Sequence, residues 1–355
     1  MNKNFIFSIM LSTILLYCSH VTAETPTEFE QTYVFFPFVH AEFRPDVGGH
    51  SDLEEFNVEA GSDLVYLLNF NKYRAMAEFF FTNEEFELEQ LKIGLDVDAE
   101  NTLWIGRFQN PIGYWNSNYN HGLHLQTSVH RPGIVEFEDD GGILANLLMG
   151  VSIDGQHLTA RGGSVNYTLA LGQAPTIDDK LKPFSFSSSR NGLQSILKVG
   201  FQPDETDPSE LGYVISYSTI VGENDTVDYI NQTLFGMYSH QSWELARLTA
   251  SIFLIDNEIH YEAASNANAS FAAGYVHVEY DVAPKWITYA RFERSYGSEN
   301  NLYLELFEHH ETERNLAGIR YDLTRRQAIS TEVSQRIVVD ENHTHISMQW
   351  SAVFP

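Results

Sequence analysis

Cysteine is almost missing from this sequence. The one cysteine, Cys18, lies in an N-terminal apolar segment. Without it, a disulfide framework and a thiolate metal site are excluded. Positive charge is scarce as well: Lys and Arg total 21 against 48 Asp and Glu, for a formal net charge of −27. A chain this poor in basic residues is a weak partner for nucleic acid, whose phosphates need Lys and Arg. Beyond the first residues there is no apolar run of the ~20 residues that a membrane-spanning helix requires. Low-complexity segments and a composition change marking a domain linker are also missing. Pro- and Asp-rich Gln202–Glu210 resembles a linker, but the same pattern continues after it.

Met1–Ala23 has the form of a secretory signal. Lys3 supplies the positive start, Phe5–Tyr17 is apolar, and Val21-Thr22-Ala23 offers small residues before Glu24. Cleavage is expected near Ala23, leaving 24–355 as one domain.

Aromatic residues are abundant, with 24 Phe and 18 Tyr, and they sit in strands. In the last segment Ile346, Met348, Trp350, Ala352 and Phe354 share one face, and His345, Ser347, Gln349 and Ser351 the other. Ile329, Thr331, Val333, Ile337 and Val339 oppose Ser330, Glu332, Ser334 and Arg336 in the same way. Period two marks strands with one apolar and one polar face. These strands approach the ~9–11 residues of a tilted membrane strand, whereas soluble strands centre on ~5–6. Aromatics such as Tyr280, Trp286, Tyr321 and Trp350 stand at the ends of the apolar faces, and tight polar turns alternate with longer loops. Both are features of membrane barrels.

The pattern predicts an all-β fold: a transmembrane antiparallel barrel of about sixteen strands. They run from 31–43 to 343–354, with the fifth and sixth at 101–108 and 143–154. Closure pairs every backbone donor and acceptor, a necessity in hydrocarbon. Sixteen strands leave an aqueous channel, and an even number puts both termini on the periplasmic side.

The fifth and sixth strands are joined by the long stretch that follows Gly106, the third outer loop by this count. It reads GRFQNPIGYWN, then RPG, then the acidic run Glu136, Glu138, Asp139 and Asp140 before Gly141-Gly142. With its flanks, roughly residues 70–150, it resembles Gram-negative porin-like proteins related to the phosphate-selective porins. That resemblance implies an outer-membrane, sixteen-stranded pore for passive diffusion. It also implies a third loop folded into the lumen and a homotrimer as the assembly. It does not settle the solute.

From the residues themselves, Arg74, Lys92 and Arg107 are expected to form a basic lumenal wall on three neighbouring strands, facing the acidic run. Such a transverse field would tune ion preference. The alternative is that these charges only tie the loop to the wall. Asn110, Pro111, Gly113, Arg131 and Pro132 are turn formers that fix the loop path. Tyr114, Trp115 and Tyr119 pack beneath the loop or form a sugar-stacking platform. Arg291, Arg320 and Arg336 continue a basic strip, yet the acidic excess favours cation-leaning conduction over phosphate selectivity.

No catalytic constellation and no cofactor motif is present. The rivals left open are a barrel enzyme built from scattered residues and a non-conducting surface or adhesion barrel contacting lipopolysaccharide. His121, His124 and His130 of the loop, His309-His310, and His343 with His345 are read as solvated, so no metal site is assigned. Expected partners are outer-membrane lipid, lipopolysaccharide, ions and small hydrophilic solutes.

Overall fold

The structure, a computed structural model, describes residues 29–45, 55–83, 86–119, 123–137, 142–178, 180–183, 192–204, 206–223, 226–262, 265–307, 310–338 and 341–355. The signal segment 1–23, together with Glu138, Asp139, Asp140, His121 and His309, lies outside these residues.

Sixteen long strands follow one another round a closed cylinder. They are β1 (Phe29–Arg44), β2 (Glu55–Phe70), β3 (Tyr73–Thr82), β4 (Phe86–Asp96), β5 (Asn101–Gln109), β6 (Leu147–Leu158), β7 (Ser164–Gln173) and β8 (Leu193–Gln202). Then come β9 (Glu210–Gly222), β10 (Val227–Ser242), β11 (Ala246–Tyr261), β12 (Ala267–Ala283), β13 (Trp286–Tyr296), β14 (Glu311–Thr324), β15 (Gln327–Val338) and β16 (Glu341–Ala352). Every neighbouring pair is antiparallel, and β1 pairs with both β2 and β16, which closes the sheet. Phe354 completes the seam: its N–H donates to the Phe35 carbonyl, and its own carbonyl accepts from Phe35 N–H, both at 2.8 Å. Among the described residues no helix is long and apolar enough to cross a membrane.

The register sorts every side chain to one of two faces. Leu169, Leu197, Ile215, Phe235 and Leu254 are cross-strand partners in one row, all turned outward and all exposed. Their sequence neighbours Ala170, Ile196, Val214 and Leu234 point inward and are buried. Aromatics collect at the tight-turn end of the outward face. Trp286 packs on Tyr321 there at 4.4 Å with the rings tilted, and Tyr33 stacks on Tyr66 at 6.2 Å.

The sixth strand begins later than the alternation suggests. It spans Leu147–Leu158, whereas 143–154 was expected. Ile143 and Leu144 are buried instead in the core that the long loop builds inside the barrel, and Ala145 is buried beside them in sequence. Apolar residues inside a wide barrel and apolar residues facing lipid have the same composition, so the sequence pattern joined the two.

Gly106 of β5 has φ 140°, and a Cβ there would fall 2.1 Å from the Leu91 carbonyl oxygen and 2.8 Å from Lys92 Cα. Gly106→Ala must therefore part β4 from β5 or abandon a backbone conformation that glycine alone adopts easily. A loss of roughly 1–3 kcal/mol is expected. It would be read as a lower urea midpoint for the barrel in lipid vesicles, and an unshifted midpoint would refute the strain.

Candidate functional site

The long loop between β5 and β6 turns into the lumen, and inward-facing side chains of the wall hold it there. At its base the backbone N–H of Asn110 donates to the Asn146 carbonyl at 2.7 Å. The Asn116 amide donates to Asn146 Oδ1 at 2.6 Å, and Arg131 Nη2 donates to Asn116 Oδ1 at 2.6 Å. A short helix, α1 (Gly113–Asn118), starts at Gly113, whose φ of 85° turns the chain after Pro111-Ile112. It packs against β9, β10 and β11. Tyr114 stacks on His240 at 4.4 Å, and Trp115 meets Tyr275 and His277 edge-on at 6.0 and 5.5 Å.

Tyr114 and Trp115 are thus buried packing residues, with their ring faces covered. That fits the packing role and leaves no open sugar platform at these two rings. Around them Phe108, Ile134, Val135, Ile143 and Leu144 of the loop region join Val214, Leu234, Phe253 and Phe271 of the wall in one apolar core.

The second half of the loop is fixed by charge. Arg291 of β13 donates to Ser128 Oγ, to the His130 carbonyl and to the Arg131 carbonyl at 3.1, 2.9 and 2.8 Å, with Glu293 at 2.7 Å as its counter-ion. Arg314 of β14 donates to the Arg131 carbonyl at 2.8 Å and lies 3.5 Å from Glu136. Arg320 donates to the carbonyls of His124 and Gln126 at 2.9 and 2.8 Å. Glu332 of β15 accepts from Val129 N–H, and Glu293 accepts from Gly133 N–H, at 3.1 and 2.6 Å. Pro132 caps the 3-10 turn Gly133–Val135 that follows. These contacts add to the apolar core, and hydrogen bonds to charged groups are the strong ones.

His130 sits between two carboxylates. Its Nδ1 is 2.7 Å from Glu332, and its Nε2 is 2.9 Å from Glu42 of β1. Burial and the nearby Arg336 draw its pKa down, but the two carboxylates outweigh them and hold the imidazole above its ordinary value. His124 goes the other way. Burial lowers its pKa, and the Arg320 charge lowers it further. Tyr119, half-buried at the rim, is pushed up to about 12 by burial and then by the Glu279 charge.

What the loop leaves open is a chamber of about 400 Å³ against β1–β4. Glu42, Glu59, Asp63, Glu87 and Glu89 line it from β1, β2 and β4. Arg314 and Arg336 line it from β14 and β15, and Arg131, Glu136 and Phe137 from the loop.

Carboxylates predominate on the first strands, where Arg44 also lines the chamber, and Arg314 and Arg336 stand across from them beside Glu311, so the expected basic wall is not on the first strands. Arg74, Lys92 and Arg107 do not line the chamber. Arg74 faces inward near the tight turn at 71–72, where Asp96 holds it at 2.9 Å. Lys92 faces inward with its ammonium 4.9 Å from the Trp104 ring. Arg107 faces outward. It pairs with Leu91 and Met149 in register, on the face of exposed Leu103 and Ile105. Arg107 stands two residues from the end of β5, where a long side chain can reach past the apolar band. Of the acidic run, Glu136 is within the described residues, and it is a partner of Arg314.

Several wall residues were not singled out in the sequence: His40, Glu42, Glu293 and Arg314. They sit at inward positions of strands, so parity was the available signal. Nothing local marked which inward residue meets the loop.

No protein-family model and no curated protein matches the chain. Solved structures do. An anion-selective porin from Comamonas acidovorans superposes with a TM-score of 0.62 at 9% identity, covering 92% of this chain and 100% of that one. The outer membrane channel DcaP of Acinetobacter baumannii gives 0.60 at 10% identity, covering 94% and 100%. The in-vitro folded OmpT of Vibrio cholerae, an outer membrane protein in its trimer form, gives 0.57 at 9%, covering 92% and 99%. At such identities the likeness is one of fold: this chain folds as a closed, sixteen-stranded antiparallel barrel, as outer-membrane porins do.

Proposed function

We propose that this chain is an outer-membrane porin, a water-filled channel for passive diffusion of ions and small hydrophilic solutes. The observation that carries the reading is the chamber of about 400 Å³ between the loop and β1–β4, lined by opposed carboxylates and arginines. In this orientation the tight turns face the periplasm and the long loop enters from outside. The outward rows of Leu, Ile and Phe meet lipid, and three copies assemble, as the resemblance of the 70–150 region suggests. The phosphate-selective relationship rests on that same region.

Conduction is read as cation-leaning. Anion or phosphate selectivity needs free basic donors in the passage. Each wall arginine already has a carboxylate beside it: Glu293 at Arg291, Glu311 at Arg314 and Arg336, and Asp322 at Arg320. The carboxylates of β2 and β4 keep the balance of the chamber negative. No catalytic role is proposed: Arg291, Glu293, Arg314, Arg320 and Glu332 hold the loop.

Planar-bilayer recording tests both statements. In a salt gradient the reversal potential is expected to show cation preference. The triple change Glu59→Gln, Glu87→Gln, Glu89→Gln is expected to lower the cation-to-anion permeability ratio. A protein that inserts without conducting would refute the porin reading. Clear anion preference would reverse the selectivity.

A further inference from the structure

We propose that the lumen contains a binding site for a divalent transition-metal ion of the zinc class, formed by His40 and Glu42 of β1 and His130 of the loop. The donor atoms of these three residues all lie within 4.8 Å of one another. A zinc ion with bonds of ~2.0–2.1 Å holds its donors roughly 3.3 Å apart, so small side-chain rotations close the site. Two imidazoles and a carboxylate suit zinc and its neighbours, whereas calcium and magnesium take oxygen donors.

The local chain explains the convergence. His40 and Glu42 are two apart on one strand, so both point into the lumen. His130 is brought to them by the loop, and Glu332 fixes its ring by holding Nδ1 at 2.7 Å, which turns Nε2 toward Glu42. An imidazole whose second nitrogen is held by a carboxylate is the usual arrangement behind a metal ligand. His345 holds the other Glu42 oxygen at 2.9 Å and orients the carboxylate.

His40 supplies the independent observation. Its Nε2 is buried yet has no hydrogen-bond partner among the described residues, and its ring lies edge-on to His130 at 5.5 Å. A buried polar atom without a partner needs a reason, and a bound ion would satisfy it. Arg44 lies 3.0 Å from Glu42, and Arg336, 3.6 Å away, also opposes a cation there. Arg336 pairs with Glu311 as well, at 3.2 Å, so it keeps a carboxylate when Glu42 turns to the ion.

On loading, the Nε2 proton that His130 shares with Glu42 leaves to solvent, and the nitrogen lone pair takes its place on the ion. Three protein ligands leave a fourth position open to the chamber for water. The loaded ion pins the loop to β1 and places two positive charges beside the passage.

The test uses the full chain in detergent, stripped with EDTA, and zinc chloride as titrant in calorimetry. One ion per chain is expected. His40→Ala and His130→Ala are each expected to weaken binding by roughly tenfold or more, while His157→Ala, an exposed residue on β6, leaves it unchanged. His40→Ala is the deciding variant, because its Nε2 has no hydrogen bond to lose. Its fold is checked by the resistance of the barrel to heat in detergent. Cobalt chloride should give the absorption of a tetrahedral site in the unmodified chain and not in the His40 variant. Absence of saturable binding, or binding untouched by both substitutions, would overturn the proposal. In bilayers, zinc is expected to reduce the conductance of the unmodified channel and to spare that of the His40 variant. A barrel that binds zinc but conducts nothing would sink the porin reading and leave this site standing.

Discussion

Replacing Arg291 by methionine is expected to unseat the long loop and raise single-channel conductance, without unfolding the barrel. Arg291 is fully buried, and its guanidinium lies 5.4 Å from the Trp115 ring. It serves three loop acceptors and Glu293 at once. Methionine keeps much of the packing volume but supplies no donor. Ser128 Oγ and two loop carbonyls then each lose a donor, with Arg314 still serving Arg131 and Ser128 still serving His130, and Glu293 keeps its charge in a buried place. Breaking a buried pair from one side costs about 3–5 kcal/mol. At about 1.4 kcal/mol per factor of ten, that moves the seated-to-unseated ratio by at least a hundredfold. The loss falls on the loop, because the hydrogen-bonded ladders of β12–β14 do not involve this side chain. Arg291→Lys is expected to be intermediate, since an ammonium cannot span three acceptors as a planar fork does. Two readouts check this: larger and noisier conductance steps, and new protease cuts between residues 110 and 146. If the methionine variant kept both the conductance and the protection of the parent, Arg291 would not be what holds the loop.

The barrel was legible in the sequence because one physical rule governs most of it. A strand between water and lipid must alternate, and it does so in β15 and β16, where Glu332, Ser334, Ser347 and Gln349 point inward against Val333, Ile346 and Met348. The rule weakens where the lumen is not wet. Val214, Ile230, Leu234, Phe253 and Ile255 face inward yet are apolar, because the loop core packs on them. Apolar residues on both faces of β9–β11 were therefore a signal, available in advance, for where the loop would lie.

Arg107 was misassigned although parity was against it. Its companions at 103 and 105 are Leu and Ile, both exposed on the outward face, while Trp104 beside Lys92 marks the inner one. The argument that lumen is cheaper than lipid for a cation holds at mid-depth and fades near a strand end. The meeting of His130 with His40 and Glu42 was not legible at all. It depends on the path of a loop across the lumen, which no spacing along the chain encodes.

Ile215→Arg is expected to destabilise the inserted barrel by about 2–4 kcal/mol, while Phe201→Arg costs about 0–1 kcal/mol. Both residues are outward and exposed on neighbouring strands, so a soluble barrel would treat them alike. What differs is depth. Ile215 lies midway along β9, in the row that continues through Leu197 and Phe235. Phe201 is the next-to-last residue of β8, at the end of the barrel that carries the tight turns. In hydrocarbon an arginine at mid-depth cannot bring its head to water, whereas one at the margin reaches the headgroups. Folding into vesicles of defined thickness, followed by reversible urea unfolding, measures both. A gap of at least 1 kcal/mol between the two variants is the expected result. Equal and negligible costs would mean that the outward rows do not sit in hydrocarbon. The proposed channel would then lose its membrane.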